Sequence, residues 1–259
     1  MKTERRDNSF NHKGLSLGNC PLRKLETAPV PLPPPRPSGF EPTLAKLTEA
    51  AVYHRPMDRT SPDVSVFILA GGKSTRMGAD KAFVLLDGRT LLARALDLAR
   101  SITSEVRIVG GASKFAAFAP VVEDQFSDCG PLGGIHAALR TSSTQLNVIL
   151  AVDLPFASKE LLQYLLGCAG NSSAAVTVPR AGGRWQPLCA VYRRAFGDAA
   201  EEALSAEHYK IDALFDRVKV RVIEGDELAA AGFPTAMFRN LNTNEDLQQA
   251  SSVERLGKA

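Results

Sequence analysis

The stretch LAGGKSTRMGADK, Leu69 to Lys81, places two glycines and the cations Lys73, Arg76 and Lys81 directly after an apolar run. Gly72-Lys73-Ser74 resembles the end of a phosphate-cradling P-loop, G-x-x-x-x-G-K-[ST]. That loop needs a glycine five residues before Gly72, where this chain has Phe67. A G-x-G-x-x-G dinucleotide turn is absent too, because the next glycine after Gly71-Gly72 is Gly78. What remains is a strand, a glycine turn, and Lys73, Ser74, Arg76 and Lys81 within a short reach. Glycine lets backbone amides approach a ligand closely. Amides in succession, together with lysine and arginine, make a site for a polyanion. Two further sets of polar residues stand at the ends of apolar runs: Asp153 after LNVILAV, and Glu123 with Asp124 after PVV.

These residues need elements to hold them. VSVFILA (64–70) is a β-branched apolar run ended by glycines and reads as a strand buried on both faces. TLLARALDLARS (90–101) has helical periodicity with Thr90 as its cap. EVRIVGG (105–111) and APVVED (119–124) read as strands, GGIHAALRT (133–141) as a helix, and LNVILAVD (146–153) as a buried strand. SKELLQYLLGCA (158–169) is a helix capped by Ser158; AAVTVPR (174–180) and PLCAVYRR (187–194) are strands. DAAEEALSA (198–206) is helical, RVKVRVI (217–223) a strand, and NEDLQQASSVERL (244–256) a closing helix. Strands alternating with helices predict an α/β fold, one doubly wound and mostly parallel sheet covered on both sides. Such sheets bind ligands outside the carboxyl ends of their strands. The chemistry is therefore expected just after Ala70, Gly110, Val122 and Val152.

Composition bounds the alternatives. The chain has 259 residues, 44% hydrophobic and 23% charged, an ordinary globular balance. Residues 1–60 hold 10 basic against 6 acidic side chains, leaving 21 against 22 beyond them, so the net charge of +3 comes from the leading segment. Nucleic acid would require a concentrated basic face, and none is indicated. No apolar run approaches the roughly 20 residues a membrane span needs. MKTERRDNSFNHKG lacks the apolar core of a signal peptide, so cytoplasm is the expected compartment. Residues 1–62, with APVPLPPPRPSGFEP (28–42), are expected to be a Pro-rich disordered leader, although PTLAKLTEAAVYH (42–54) has the spacing of a short helix. Residues 63–259 form the expected domain. The four cysteines, Cys20, Cys129, Cys168 and Cys189, are scattered without metal-like spacing.

LAGGKSTRMGADK resembles the signature L-A-G-G-x-S-x-R-M-G-x-x-K of the molybdenum cofactor guanylyltransferase family, a group of nucleotidyltransferases with a GT-A-like fold. Leu69, Ala70, Gly71, Gly72, Ser74, Arg76, Met77, Gly78 and Lys81 all fit. VVEDQFSDCGPLGGI (121–135) is similar to the family's E-D followed by G-P-L-x-G, LAVDLPF (150–156) to its metal-binding D-x-P, and GRWQPLCAVY (183–192) to its Q-P-L-x-A-x-Y. NLNTNED (240–246) resembles N-x-N-T-P-E-D with Asn244 at the proline position, which loosens the start of the closing helix. Where family members place an asparagine near the nucleotide, this chain has Gly110.

The resemblance implies transfer of GMP from GTP to the phosphate of molybdopterin cofactor, with release of pyrophosphate. An anion must attack a highly charged phosphate, so the protein's task is positioning and charge neutralisation. Lys81 and Arg76 then suit the triphosphate; Arg76 has the alternative of bracing the loop against Asp80. Asp153 suits Mg2+, which prefers one or two carboxylates plus substrate oxygens, with Asn242 as a neutral oxygen nearby. The implied nucleotide contacts are Leu69, Ala70, Gly71, Gly72, Lys81, Asp124 and Asp153, with Asp124 facing guanine or ribose. Glu123 reads as a solvated charge. The helix begun by GPLGG (130–134) has amides that suit a phosphate. Asp128 and His136 have the composition of an acid/base pair, but an attacking phosphate needs no general base, and His136 is expected to be a helix residue. Trp185 has two readings, stacking on a pterin or packing against the protein. The implied partners are GTP and Mo-molybdopterin, with molybdoenzymes or their chaperones as protein partners. A cytidylyltransferase acting on the same cofactor, another small nucleotidyltransferase, and a non-catalytic nucleotide-binding module are the alternatives; Gly71, where cofactor cytidylyltransferases read L-A-A-G, favours guanine.

Overall fold

The computed structural model describes residues 63–71, 80–126, 128–243 and 245–250. The leader and the helix read over 42–54 lie outside the described residues, as do Gly72, Arg76 and Asn244. Strand β1 (Val64–Leu69) comes first, then a 3-10 turn at Lys81–Phe83, a hairpin of β2 (Leu85–Leu86) and β3 (Arg89–Thr90), and helix α1 (Leu91–Arg100). Next are β4 (Val106–Val109), α2 (Ala112–Phe115), β5 (Val121–Val122), α3 (Pro131–Thr141), β6 (Leu146–Ala151) and α4 (Lys159–Gly170). β7 (Val176–Ala181), β8 (Arg184–Trp185), β9 (Cys189–Tyr192), α5 (Phe196–Ser205), β10 (Val220–Glu224) and α6 (Gly225–Ala230) follow. A helical stretch at 245–250 closes the described chain. No helix among the described residues is long and apolar enough to cross a membrane.

The main sheet has the order β10-β7-β9-β6-β1-β4-β5, with β8 beside β7. β1 pairs in parallel with β4 and β6, β4 with β5, and β10 with β7. The expectation of a mostly parallel α/β sheet therefore holds, with two exceptions: β9 runs antiparallel to both β6 and β7 in its middle, and the short β8 runs antiparallel to β7. The β2–β3 hairpin stands apart as a second, two-stranded sheet.

Burial explains why β1 and β6 are apolar except at Ser65 and Asn147, which are buried too and are hydrogen-bonded through Thr144 Oγ1. Alternate residues of a strand face opposite sides, and both sides are covered. Val64, Val66 and Ile68 pack with Val148 and Leu150 under α1 and α4. Phe67 and Leu69 pack with Ile149, Val176 and Val178 under α3 and α5. Phe67, where a P-loop would need glycine, is 0% exposed, a core plug rather than part of a loop. Burying such a side chain contributes about 1.5–3 kcal/mol, so the position belongs to the core.

Helix starts follow capping chemistry. Thr90 Oγ1 accepts from Ala93 N at 3.1 Å and Ser158 Oγ from Leu161 N at 3.2 Å, as their spacing predicts. α3 begins at Pro131, earlier than the expected Gly133, because Pro131 sits at the first turn and Gly130 takes φ 66° and ψ −158° before it. Proline is pre-set for a first helical turn, and that preceding conformation is essentially glycine's alone. The expected strand at 119–124 shortens to two residues at the sheet edge, where only β4 is available to pair with it.

Register then builds the functional rim. Leu69 pairs with both Val109 and Ala151, and Val109 pairs with Val122, so the carboxyl ends of β1, β4, β5 and β6 stand level. Strand order also reverses around β1, since β4 lies on one side and β6 on the other. Open α/β sheets bind ligands at such a switch point.

Candidate active site

Lys81 and Asp153, 72 residues apart, meet on this rim: Nζ donates to Oδ2 at 2.9 Å. Both side chains are half-buried, 24% and 13% exposed. The same ammonium donates to Asn242 Oδ1 at 2.6 Å, across 161 residues of chain. Lys81 thus lies between two oxygens that come from separate segments. Its turn is set by Asp80, whose Oδ1 accepts from Ala82 N at 3.1 Å while Oδ2 accepts from Lys114 Nζ at 3.0 Å. Lys114 belongs to α2, whose first amide, Ala112 N, donates to Glu123 Oε1 at 2.9 Å. Glu123 is exposed, as expected, but it also caps this helix.

Asp153 is fixed through its neighbours. Val152 N donates to Leu69 O at 3.1 Å, and Asp153 O accepts from Leu241 N at 3.0 Å. The segment after Leu241 carries the second oxygen. Asp246 Oδ2 accepts from Asn242 N and Thr243 N at 3.0 Å each, and Thr243 Oγ1 accepts from Asp246 N at 3.1 Å. The Asn242 amide, helped by Arg239 and Thr243, holds the Asp246 carboxyl below the usual carboxylate range. Asp80 enters the sequence reading only as a brace for Arg76; Lys114 and Asp246 have no role in it. The T-x-x-D spacing of Thr243 and Asp246 is a capping-box signal that could have found the last of them.

The glycine turn departs from expectation in one respect. Ala70 N and Gly71 N both donate to Val109 O, at 3.1 Å each, so these amides are engaged within the sheet. Leu69 and Ala70 are buried, whereas Gly71 is exposed on the rim. The amides of Ala70 and Gly71 are therefore already paired, contrary to the expectation that they face a ligand. Gly110 is likewise a steric necessity: a Cβ there would stand 2.8 Å from the Phe115 ring. Phe115 in turn stacks on Phe83 with centroids 5.9 Å apart, two residues beyond Lys81. An aromatic side chain fills the space that a side chain at position 110 would need.

Asp124 stands farther along the rim. Its Oδ1 accepts from Phe126 N at 2.9 Å. Its carboxylate also lies over the first turn of α3, so that a Cβ on Gly133 would be 2.5 Å from Oδ2. Burial raises its pKa, against the Phe126 amide and the nearby His136, which lower it. Substituting Gly133→Ala is therefore expected to rotate Asp124 away from Phe126, even though alanine is the better helix former by about 1 kcal/mol. The expected result is an unchanged or higher thermal midpoint with faster hydrogen exchange at the Phe126 amide, which loses its acceptor. Amide exchange beside a melting curve checks both halves.

His136 and Asp128 are not a working pair. His136 is 1% exposed in α3, edge-on to Phe126, with Nε2 3.5 Å from Glu201 of α5. Asp128 is exposed, at φ 64°. Trp185 packs edge-on against Phe215, with Arg180 over its ring. Cys129, Cys168 and Cys189 form no disulfide among the described residues. Among the described residues, no group of three or more His, Cys, Asp or Glu side chains could hold a metal.

Comparison with known proteins matches this geometry. The MobA-like NTP transferase domain family matches residues 66–222. The molybdenum cofactor guanylyltransferase of Desulfosudis oleivorans is 33% identical over 75% of this chain and 98% of its own length. That of Syntrophotalea carbinolica is 31% identical, covering 71% of this chain and 89% of its own. Among solved structures, molybdopterin-guanine dinucleotide biosynthesis protein A from Archaeoglobus fulgidus superposes with a TM-score of 0.67 at 27% identity, covering 74% of this chain and 99% of that one.

Proposed function

The chain belongs to the MobA-like NTP transferase family and is a nucleotidyltransferase; from that premise we propose that it transfers GMP from GTP to the phosphate of molybdopterin cofactor. One oxygen of the cofactor phosphate forms a bond to the α-phosphorus, the bond from that phosphorus to the bridging β-oxygen breaks, and pyrophosphate leaves. The observation that carries this reading is the approach of Lys81 Nζ to Asp153 Oδ2, 2.9 Å, at the switch point of the sheet.

The chemistry requires little covalent participation by the protein. Both reactants are anions, so positioning and preorganised positive charge supply most of the rate. Lys81 brings a compact, movable cation to the triphosphate. Asp153 and Asn242 would hold a magnesium ion. They fit it, being hard oxygen donors already arranged about a cation, the Lys81 ammonium. One carboxylate is enough when substrate phosphates complete the shell. Magnesium, when bound, neutralises charge developing on the phosphate oxygens. Asp124 would accept from the N1–H and N2–H2 edge of guanine, or from ribose hydroxyls. A carboxylate that burial has partly stripped of water gains more from such donors than a solvated one. Arg76 is assigned to the triphosphate on sequence grounds.

The deciding experiment offers GTP, CTP, ATP and UTP in turn with Mg2+ and the reduced cofactor, and follows pyrophosphate release. GTP is expected to exceed the next nucleotide by about 100-fold or more, as sites built on hydrogen bonds to a base discriminate strongly. Preference for CTP would replace guanylyl with cytidylyl transfer. No release with any nucleotide would leave a binding module.

A further inference from the structure

We propose that Asp246 is a positioning residue of the active site, holding Asn242 against Lys81 and Asp153 through the backbone it caps. This rests on the reading of Asp153 and Asn242 as the magnesium-side oxygens.

Asn242 is exposed, and an exposed side chain has no packing to fix it. What fixes it is its main chain. Three successive amides are tied: Leu241 N to Asp153 O at 3.0 Å, and Asn242 N and Thr243 N to a single oxygen of Asp246, again at 3.0 Å each. The first bond sets the height of the segment relative to Asp153. The other two set its rotation, which aims Oδ1 of Asn242 at Lys81 Nζ. Asp246 is itself held at its second oxygen by Arg239, at 3.3 Å. Thr243 Oγ1 returns a bond to Asp246 N, at 3.1 Å, which closes a capping box.

A capping box alone would serve only the helix. Here the capping carboxylate spends one oxygen on two amides, and the second of them, Asn242 N, lies before the cap and belongs to the residue facing Lys81. Asp246 thus has two separable duties. Thr243 Oγ1 shares the helix-capping duty and has no bond to Asn242. That asymmetry allows a test.

Three variants are compared with the wild-type chain: Asp246→Ala, Asp246→Asn and Thr243→Val. The readouts are melting curves, Mn2+ binding by electron paramagnetic resonance in the presence of GTP, and the Mg2+ dependence of pyrophosphate release. Removing a group that orients a metal ligand costs about 10- to 100-fold in metal affinity or activity. Asp246→Ala is expected to weaken Mn2+ binding and to raise the half-saturating Mg2+ by about tenfold, with KM for GTP at subsaturating cofactor nearly unchanged. Asp246→Asn, which keeps an acceptor oxygen, is expected to recover most of this loss. Thr243→Val is expected to lower the melting point with metal binding intact. Wild-type metal binding in Asp246→Ala, or an equal loss in Thr243→Val, overturns the proposal. If Asp246→Ala fails to fold, Asp246→Ser takes its place, its side chain too short to reach the Asn242 amide: weakened Mn2+ binding supports the proposal and wild-type Mn2+ binding overturns it. If the wild-type chain itself shows neither GTP-dependent Mn2+ binding nor pyrophosphate release, the functional reading fails first and the proposal goes with it.

Discussion

An Asp153→Asn enzyme is expected to fold normally and to lose about 100- to 1000-fold in turnover, the scale of removing one preorganised charge-stabilising group. The substitution keeps the side chain's shape and one acceptor oxygen, so the backbone bonds from Val152 N and Leu241 N to Leu69 O and Asp153 O remain. What disappears is the negative charge. Without it a divalent ion loses the only carboxylate that the described rim places beside Lys81, and the ammonium loses its partner at 2.9 Å. Because Asp153 and Lys81 are partly buried, 13% and 24% exposed, neutralising Asp153 costs less stability than the several kcal/mol expected for a fully buried pair. Steady-state rates across a Mg2+ series, beside a melting curve, provide the check. A variant with wild-type kcat at saturating Mg2+ and an unshifted metal dependence would remove Asp153 from the metal site.

Lys81→Met should cost a similar 100- to 1000-fold, through a different signature. Methionine retains most of the apolar stem and removes only the charge. The triphosphate then meets Asp153 without its counter-ion, and transition-state charge is left uncompensated, so kcat/KM for GTP falls. Binding of metal without nucleotide should move the other way. In the structure the Lys81 ammonium stands between Asp153 Oδ2 and Asn242 Oδ1, the two oxygens assigned to magnesium. A cation already in that position competes with an incoming one, and nucleotide that draws Lys81 onto its phosphates relieves the competition. Mn2+ alone should therefore bind Lys81→Met more tightly than the wild-type chain, while turnover is nearly lost. Reciprocity of coupling free energies requires the wild-type enzyme to bind GTP and metal cooperatively. Equal Mn2+ affinity in both proteins would show that the lysine and the metal use different places.

The two effects separate the roles of charge and coordination at one point. Asp153→Asn shifts metal dependence upward; Lys81→Met lowers turnover and raises affinity for metal alone. Neither outcome follows from a general loss of structure, which would lower both together.

Much of this was readable along the chain. VSVFIL and LNVILA announce strands covered on both faces because apolar residues fall on both alternating sets of positions, and both strands are buried throughout, Ser65 and Asn147 included. Thr90 and Ser158 announce helix starts because a hydroxyl can satisfy an amide three residues on. Strand–helix alternation fixes where ligands gather, so the rim after Ala70 and Val152 was legible before any coordinates. Each of these signals lies within a few consecutive residues. The motifs near Lys81, Asp124 and Asp153 are local in the same sense, and they identify the family.

Other features depended on which segment came to lie beside which. That β9 runs antiparallel between β6 and β7 is invisible in CAVY, whose apolar pattern suits either direction. The amides of Ala70 and Gly71 looked free for an anion until Val109 O came within 3.1 Å of both. Gly110 read as a missing contact, whereas the Phe115 ring occupies the place of its side chain. The bonds joining Asn242 to Lys81 and Leu241 to Asp153 connect segments far apart along the chain, the first across 161 residues. Propensity, capping and periodicity are properties of neighbours in sequence, and so the chain alone determines its elements and its family. The partner of a given amide or ammonium is a property of neighbours in space, settled only when strand order, register and loop path are settled together.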